Sequence, residues 1–151
     1  MKDPENKLVK ISKEEKERID KIRMDEACAY AKKTMFHQPE GYFENLRDAV
    51  SGVHPELWRT MMSLVVYDIW QRPILDNKTR ALIAVAVLTA IGAPYQVDKL
   101  VKVGLANGAT EEEIYEALLQ CLPEIGFNLT WTGMKAAKAA IESYKAGKSE
   151  F

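Results

Sequence analysis

Asp76-Asn77-Lys78-Thr79-Arg80-Ala81-Leu82-Ile83-Ala84-Val85-Ala86-Val87-Leu88-Thr89-Ala90-Ile91-Gly92 decides how the rest of the chain is read. Asp76 can accept the first free backbone N–H groups of a helix, and Gly92 suits its end, so Asn77 to Ile91 reads as one helix. From Ala81 onward this helix is apolar on every side, which predicts burial all round. Its apolar run, Ala81 to Ile91 broken only by Thr89, is 11 residues long. That is well short of the roughly 20 residues that span a bilayer. Something must cover this segment, either the other helices of the chain or neighbouring copies of it.

Outward from it, the chain punctuates itself into further helices. Pro94 opens a helix through Val97, Leu100, Val101 and Leu105 to the stop at Asn107-Gly108. Thr110-Glu111-Glu112-Glu113 is a capping box for a helix to Leu122, which Pro123 is expected to end or kink. After Gly126 a last helix carries Trp131, Met134, Ala137, Ile141 and Tyr144. Towards the N-terminus, Pro55 starts a helix with Trp58, Met61, Met62, Val65, Ile69 and Trp70 on one stripe. Tyr42 to Val50 forms a short helix ended by Gly52. Ser12-Lys13-Glu14-Glu15 caps a first helix that runs to about Met35. No strand alternation is sustained. The expectation is an all-α fold of six or seven helices, with residues 1–11 as a polar tail and 12–147 as one domain. A helix that is greasy all round is hard to cover within 151 residues, which predicts a homo-oligomer with an obligate apolar interface.

Composition excludes several function classes. Lys+Arg total 21 against Asp+Glu 22, a net charge of -1, so the chain lacks the basic surplus of a non-specific nucleic-acid binder. Cys28 and Cys121 form no CxxC pair, and His37 and His54 stand apart, so neither a disulfide framework nor a zinc site is expected. The charged first ten residues carry no apolar leader, and the expected location is cytoplasmic, with no membrane partner.

The stretch from Tyr67 to Ala140 carries a series of short motifs. They are Trp70-Gln71-Arg72-Pro73-Ile74-Leu75-Asp76, Thr79-Arg80, Ala90-Ile91-Gly92, Asn107-Gly108-Ala109-Thr110, Glu113-Ile114-Tyr115-Glu116 and Gly126. In order and spacing this stretch resembles the carboxymuconolactone decarboxylase family. The wider superfamily includes alkylhydroperoxidase D-like proteins, whose redox motif is similar to Gly-Cys-Pro-Tyr-Cys-Val-Asp-Ala-His. Here the stretch reads Gly92-Ala93-Pro94-Tyr95-Gln96-Val97-Asp98-Lys99-Leu100. Both thiols and the histidine are replaced, which removes the nucleophile, the resolving thiol and the base of a peroxidase. The decarboxylase branch usually has a glutamate where Gln96 stands and a histidine where Leu100 stands.

The resemblance implies an alkylhydroperoxidase D-like fold assembled as a trimer or hexamer, and a cofactor-free decarboxylation of a lactone diacid. Loss of carbon dioxide leaves a carbanion that delocalises into the lactone carbonyl. A protein assists with a cation for a carboxylate, a dry pocket, donors for the enolate oxygen and a proton donor. Arg72 and Arg80 are the candidate anchors, because a guanidinium grips a carboxylate in two places. Glu113, Glu116, Gln120 and Glu124 share one face of the sixth helix, which also suits a solvated surface. Glu124, in the otherwise apolar Cys121–Phe127 run, is read as a shielded carboxyl able to donate a proton, with Glu116 second. Gln96 and Tyr95 are candidate substrate donors. His54 is read as a helix-start residue, His37 as a loop residue, and Cys28 and Cys121 as small hydrophobes. The leading expectation is a cofactor-independent lyase acting on a small carboxylated lactone or related organic acid. Its rivals are a binder of such a molecule without turnover, and a thiol-dependent peroxidase relying on Cys121.

Overall fold

The structure is a computed structural model that describes residues 11–37 and 39–148. Most of the expected polar tail lies outside the described residues, as does Gln38. Seven helices follow one another among the described residues, and no strand does. They are α1 (Lys13–Tyr30), α2 (Tyr42–Val53), α3 (Pro55–Thr60), α4 (Asn77–Ala90), α5 (Pro94–Ala106), α6 (Glu111–Ile125) and α7 (Phe127–Lys145). α1 continues into a π-helical stretch, Ala31–Met35, and α3 into a longer one, Met61–Trp70.

The helix starts follow from local chemistry. The hydroxyl of Ser12 accepts from Glu15 N, a carboxylate oxygen of Asp76 accepts from Thr79 N, and Thr110 and Glu113 satisfy one another's backbone N–H groups. His54 also caps a helix: its Nδ1 accepts from Glu56 N at 3.2 Å.

Two clusters of buried side chains form the core. Ala27, Ala31, Phe43, Leu46, Trp58 and Met62 belong to the first, between α1, α2, α3 and its π-helical extension. Val85, Val97, Val101, Ile114, Leu118 and Ile141 belong to the second, between α4 and α7. Leu100 packs against both. Each large aliphatic side chain so buried contributes about 1.5–3 kcal/mol. α4 and α7 meet at Gly133, where even a Cβ would lie 2.5 Å from Thr89 Cγ2.

Three local expectations need correction. α4 is not buried on all sides within the protomer: Ala81, Val85 and Thr89 are buried, but Ile83, Val87 and Ile91 are 49%, 54% and 70% exposed. α5, α6 and α7 cover one side of it and leave the opposite face uncovered. Pro123 does not end α6, which runs on to Ile125 and stops at Gly126, where φ is 80°. The missing N–H of Pro123 leaves a carbonyl one turn back without its usual partner, and only two further residues depend on that turn. α2 likewise passes through Gly52 to Val53 before the chain turns extended at His54.

The stripe on the third helix also differs. Trp58, Met62, Val66 and Trp70 are buried, at a constant spacing of four, while Val65 and Ile69 are exposed. A π-helix bonds i to i+5 and winds more widely than an α-helix, so every fourth side chain stays near one face.

Candidate functional site

Both π-helical stretches border one hollow. Met35 and the adjoining Phe36 form one wall, and Met61, Val65, Val66 and Trp70 form a second. α4 adds Ala84, Val87 and Leu88, and Leu100 of α5 completes the lining. The volume is about 340 Å³, a size that fits a small organic molecule. No ionisable side chain lines it among the described residues. A charge placed inside would lose its hydration without replacement.

A groove of about 260 Å³ adjoins it, sharing Trp70, Ala84 and Val87 and adding Ile69, Leu75, Ile83 and Arg80. Arg80 lines this groove, and its guanidinium is tied to the connector by two hydrogen bonds. Nη2 donates to Arg72 O at 2.6 Å and Nε donates to Leu75 O at 3.1 Å. A guanidinium has five N–H donors, so the remaining ones are available to a ligand. Arg72 itself is exposed on the connector, and its guanidinium has no partner among the described residues.

The candidate acids lie elsewhere. Lys78 Nζ pairs with Glu113 Oε1 at 2.8 Å, and Cys121 Sγ approaches Ala86 O at 4.0 Å. Both pairs are 35 residues apart, so α4 and α6 run side by side in the same direction. Glu124 is therefore level with Thr89, nine residues along from Arg80, or about 13 Å at roughly 1.5 Å of rise per residue. It is exposed. Glu116 is level with Ala81 but lines a groove with Leu82, Glu112 and Gln120. At 3.6 residues per turn, Leu82 points about 200° round the helix from Arg80. Within one protomer neither glutamate meets the guanidinium.

Tyr95 and Gln96 occupy the exposed first turn of α5, one turn before Leu100. Lys99 Nζ stands 4.6 Å from the centre of the Tyr95 ring. His37 is exposed in its loop, with Nδ1 3.1 Å from Thr34 O. Trp70 lines the hollow, whereas Trp131 is exposed and stacks on Phe127. Cys28 and Cys121 are half-buried, and burial is the main cause that pushes each thiol up from its ordinary value. That is the opposite of an activated nucleophile. Among the described residues, no three His, Cys, Asp or Glu side chains converge as metal ligands.

Sequence reasoning missed three features. Lys102 is buried with its side chain 4% exposed, 3.0 Å from Asp98 Oδ2, which also lies 3.4 Å from Lys99. Tyr42 packs on Phe36 behind the hollow, and burial first, then Asp98 and Tyr95, push its phenol up. The hollow was missed because Met35, Met61, Val87 and Leu100 are distant in sequence, and each alone reads as core.

The profile of the Carboxymuconolactone decarboxylase family matches residues 55–139, more than half of the chain. This span includes most of the π-lined wall, α4, Leu100 and all of α6. A curated relative, 4-carboxymuconolactone decarboxylase from Acinetobacter baylyi, is 31% identical over 74 residues. That alignment covers 49% of this chain and 50% of the relative, so the chain spans about half the length of the protein it matches. By sequence profile and by its all-helical architecture, the chain belongs to the carboxymuconolactone decarboxylase family.

Proposed function

We propose that this family member takes a small organic acid into the hollow, with its acid group at Arg80 and its body against Leu100. The observation that carries the reading is the pairing of an apolar-lined hollow with one hydrogen-bonded guanidinium lining the adjoining groove. The outer face of α4 forms the rim. We further propose that a second copy of the chain covers Ile83, Val87 and Ile91, dries the hollow and makes a homo-oligomer. No metal or cofactor is required for binding of this kind.

A second reading, turnover as a carboxy-lyase, is favoured by the apolar lining of the hollow and by the activity in the name of the Acinetobacter relative. In that reaction the bond between the carboxylate carbon and its neighbour breaks and carbon dioxide leaves. The electron pair passes into a conjugated carbonyl, whose oxygen becomes an enolate. An apolar wall weakens the hydration of the departing carboxylate, and Arg80 donates N–H to the enolate oxygen. The proton that then returns to carbon has no donor among the described lining residues, so it comes from Glu116 or Glu124 of a neighbouring copy, or from water. Tyr95 and Gln96, in the first turn of α5, are candidates to orient the substrate.

Incubation with carboxylated lactones and short organic acids, read by thermal shift and by mass spectrometry, tests both readings. Stabilisation that Arg80→Gln abolishes supports binding, and product formation lost in Arg80→Gln supports the lyase. No stabilisation by any acid overturns both.

A further inference from the structure

We infer that the hollow selects monocarboxylic acids with a linear apolar body, and rejects dicarboxylic acids of the same length. The inference rests on the reading of the hollow as an acid site and adds the class of acid. α4 presents Arg80, Ile83, Ala84, Val87 and Leu88 at spacings of three, four, seven and eight, which is a single helix face. The outer groove begins at Arg80, the inner hollow reaches Leu88, and the two share Trp70, Ala84 and Val87. Arg80 and Leu88 are eight residues apart, or about 12 Å at roughly 1.5 Å of rise per residue.

Charge is supplied at only one end of this path. Arg80 is the single ionisable residue lining either part, among the described residues. Its bonds to Arg72 O and Leu75 O hold it in place, so it meets one carboxylate without first losing side-chain freedom. At the far end a second carboxylate would meet Leu88, Leu100 and Met35, which offer no donor. It would lose its hydration unreplaced, while a methyl terminus there gains apolar contact. Leu100 is thus a specificity-determining residue: it lines the inner hollow, which Arg80 does not reach, with hydrocarbon.

Isothermal titration of the full chain with octanoate and with suberate, the eight-carbon diacid, tests this. Octanoate is expected to bind at one site per chain and suberate at least about a hundredfold more weakly, because of the unpaired second charge. Arg80→Gln should weaken octanoate by about tenfold or more with helicity unchanged, since a charge-assisted pair is lost. Leu100→Arg should gain suberate affinity relative to octanoate. Suberate within threefold of octanoate overturns the monocarboxylate class and leaves the acid site standing. Octanoate binding unchanged by Arg80→Gln overturns the one-ended charge. Failure of octanoate, suberate and 3-phenylpropionate alike overturns the acid-site reading and this inference with it.

Discussion

Arg80 Nη2 lies 2.6 Å from the carbonyl oxygen of Arg72, so the fourth residue of α4 holds the connector that precedes the helix. A second bond, from Nε to Leu75 O at 3.1 Å, spans the same turn. Lysine has the charge but lacks the planar fork that satisfies two carbonyls together. Arg80→Lys is therefore expected to destabilise the fold by about 1 kcal/mol, measured as a lowered urea midpoint with unchanged slope. An unchanged midpoint would mean that the connector holds itself.

The contact between α4 and α7 admits no Cβ at Gly133, because one would stand 2.5 Å from Thr89 Cγ2 and 2.7 Å from its Oγ1. Gly133→Ala should cost about 1–3 kcal/mol by overpacking. Thr89→Ala removes both offending atoms, so in the double variant most of that loss should be absent. A double-mutant cycle read by thermal unfolding measures the coupling. Additive effects would show that the helices separate freely.

Stability should depend on pH at both extremes, with opposite signs. The backbone N–H of Thr79 holds Asp76 below its ordinary 3.8, and Lys78 then Thr110 hold Glu113 below its ordinary 4.5. A carboxylate lowered in the native state contributes stability above its unfolded pKa and loses it as pH falls through the native value. The melting temperature should thus decline on acidification below about pH 4, and less steeply in Glu113→Gln. Lys78 is raised above 10.5 by Glu113, so its contribution is present below that value and is lost as pH climbs through the native one.

The thiols should be sluggish. Burial raises both Cys28 and Cys121, which keeps them protonated near neutrality. Reaction with an aromatic disulfide reagent at pH 7.5 should be slower than for free cysteine. Peroxide consumption should be the same in the wild type and in Cys28→Ser/Cys121→Ser. A fast stoichiometric burst from either thiol would revive the peroxidase reading.

Ile83 and Ile91 project from the uncovered face of α4 at an eight-residue interval. If a second copy covers this face, Ile83→Glu/Ile91→Glu should shift the particle towards a single chain of about 17 kDa in light scattering, because a desolvated carboxylate opposes docking. Far-UV circular dichroism should stay helical. A wild-type chain already monomeric at micromolar concentration would remove the proposed interface.

Helix positions were legible where their determinants are local. Ser12, Asp76 and Thr110 reach backbone groups within one turn, and His54 could be read as a helix-start residue for the same reason. Burial was less legible. Nothing within Ala81–Ile91 tells which side α5, α6 and α7 will cover, so the exposed Ile83–Val87–Ile91 line emerges only from tertiary packing. The π-helical winding of Met61–Trp70 was hidden too, since its residues suit either helix and only the winding decides that Val66 is buried while Val65 stays partly exposed at the hollow. Arg80 was readable as a cation beside apolar surface. Its separation from Glu116 and Glu124 was not, because that depends on how α6 is laid along α4.

Leu100 packs against both core clusters and also lines the hollow. Capacity for a guest and adhesion between the two halves of the molecule therefore meet in one side chain. A trim to alanine would deepen the chamber and loosen the seam at the same time. A guest that filled the extra room would act as a removable keystone, so such a variant should melt later with its guest than without, by a wider margin than the parent chain.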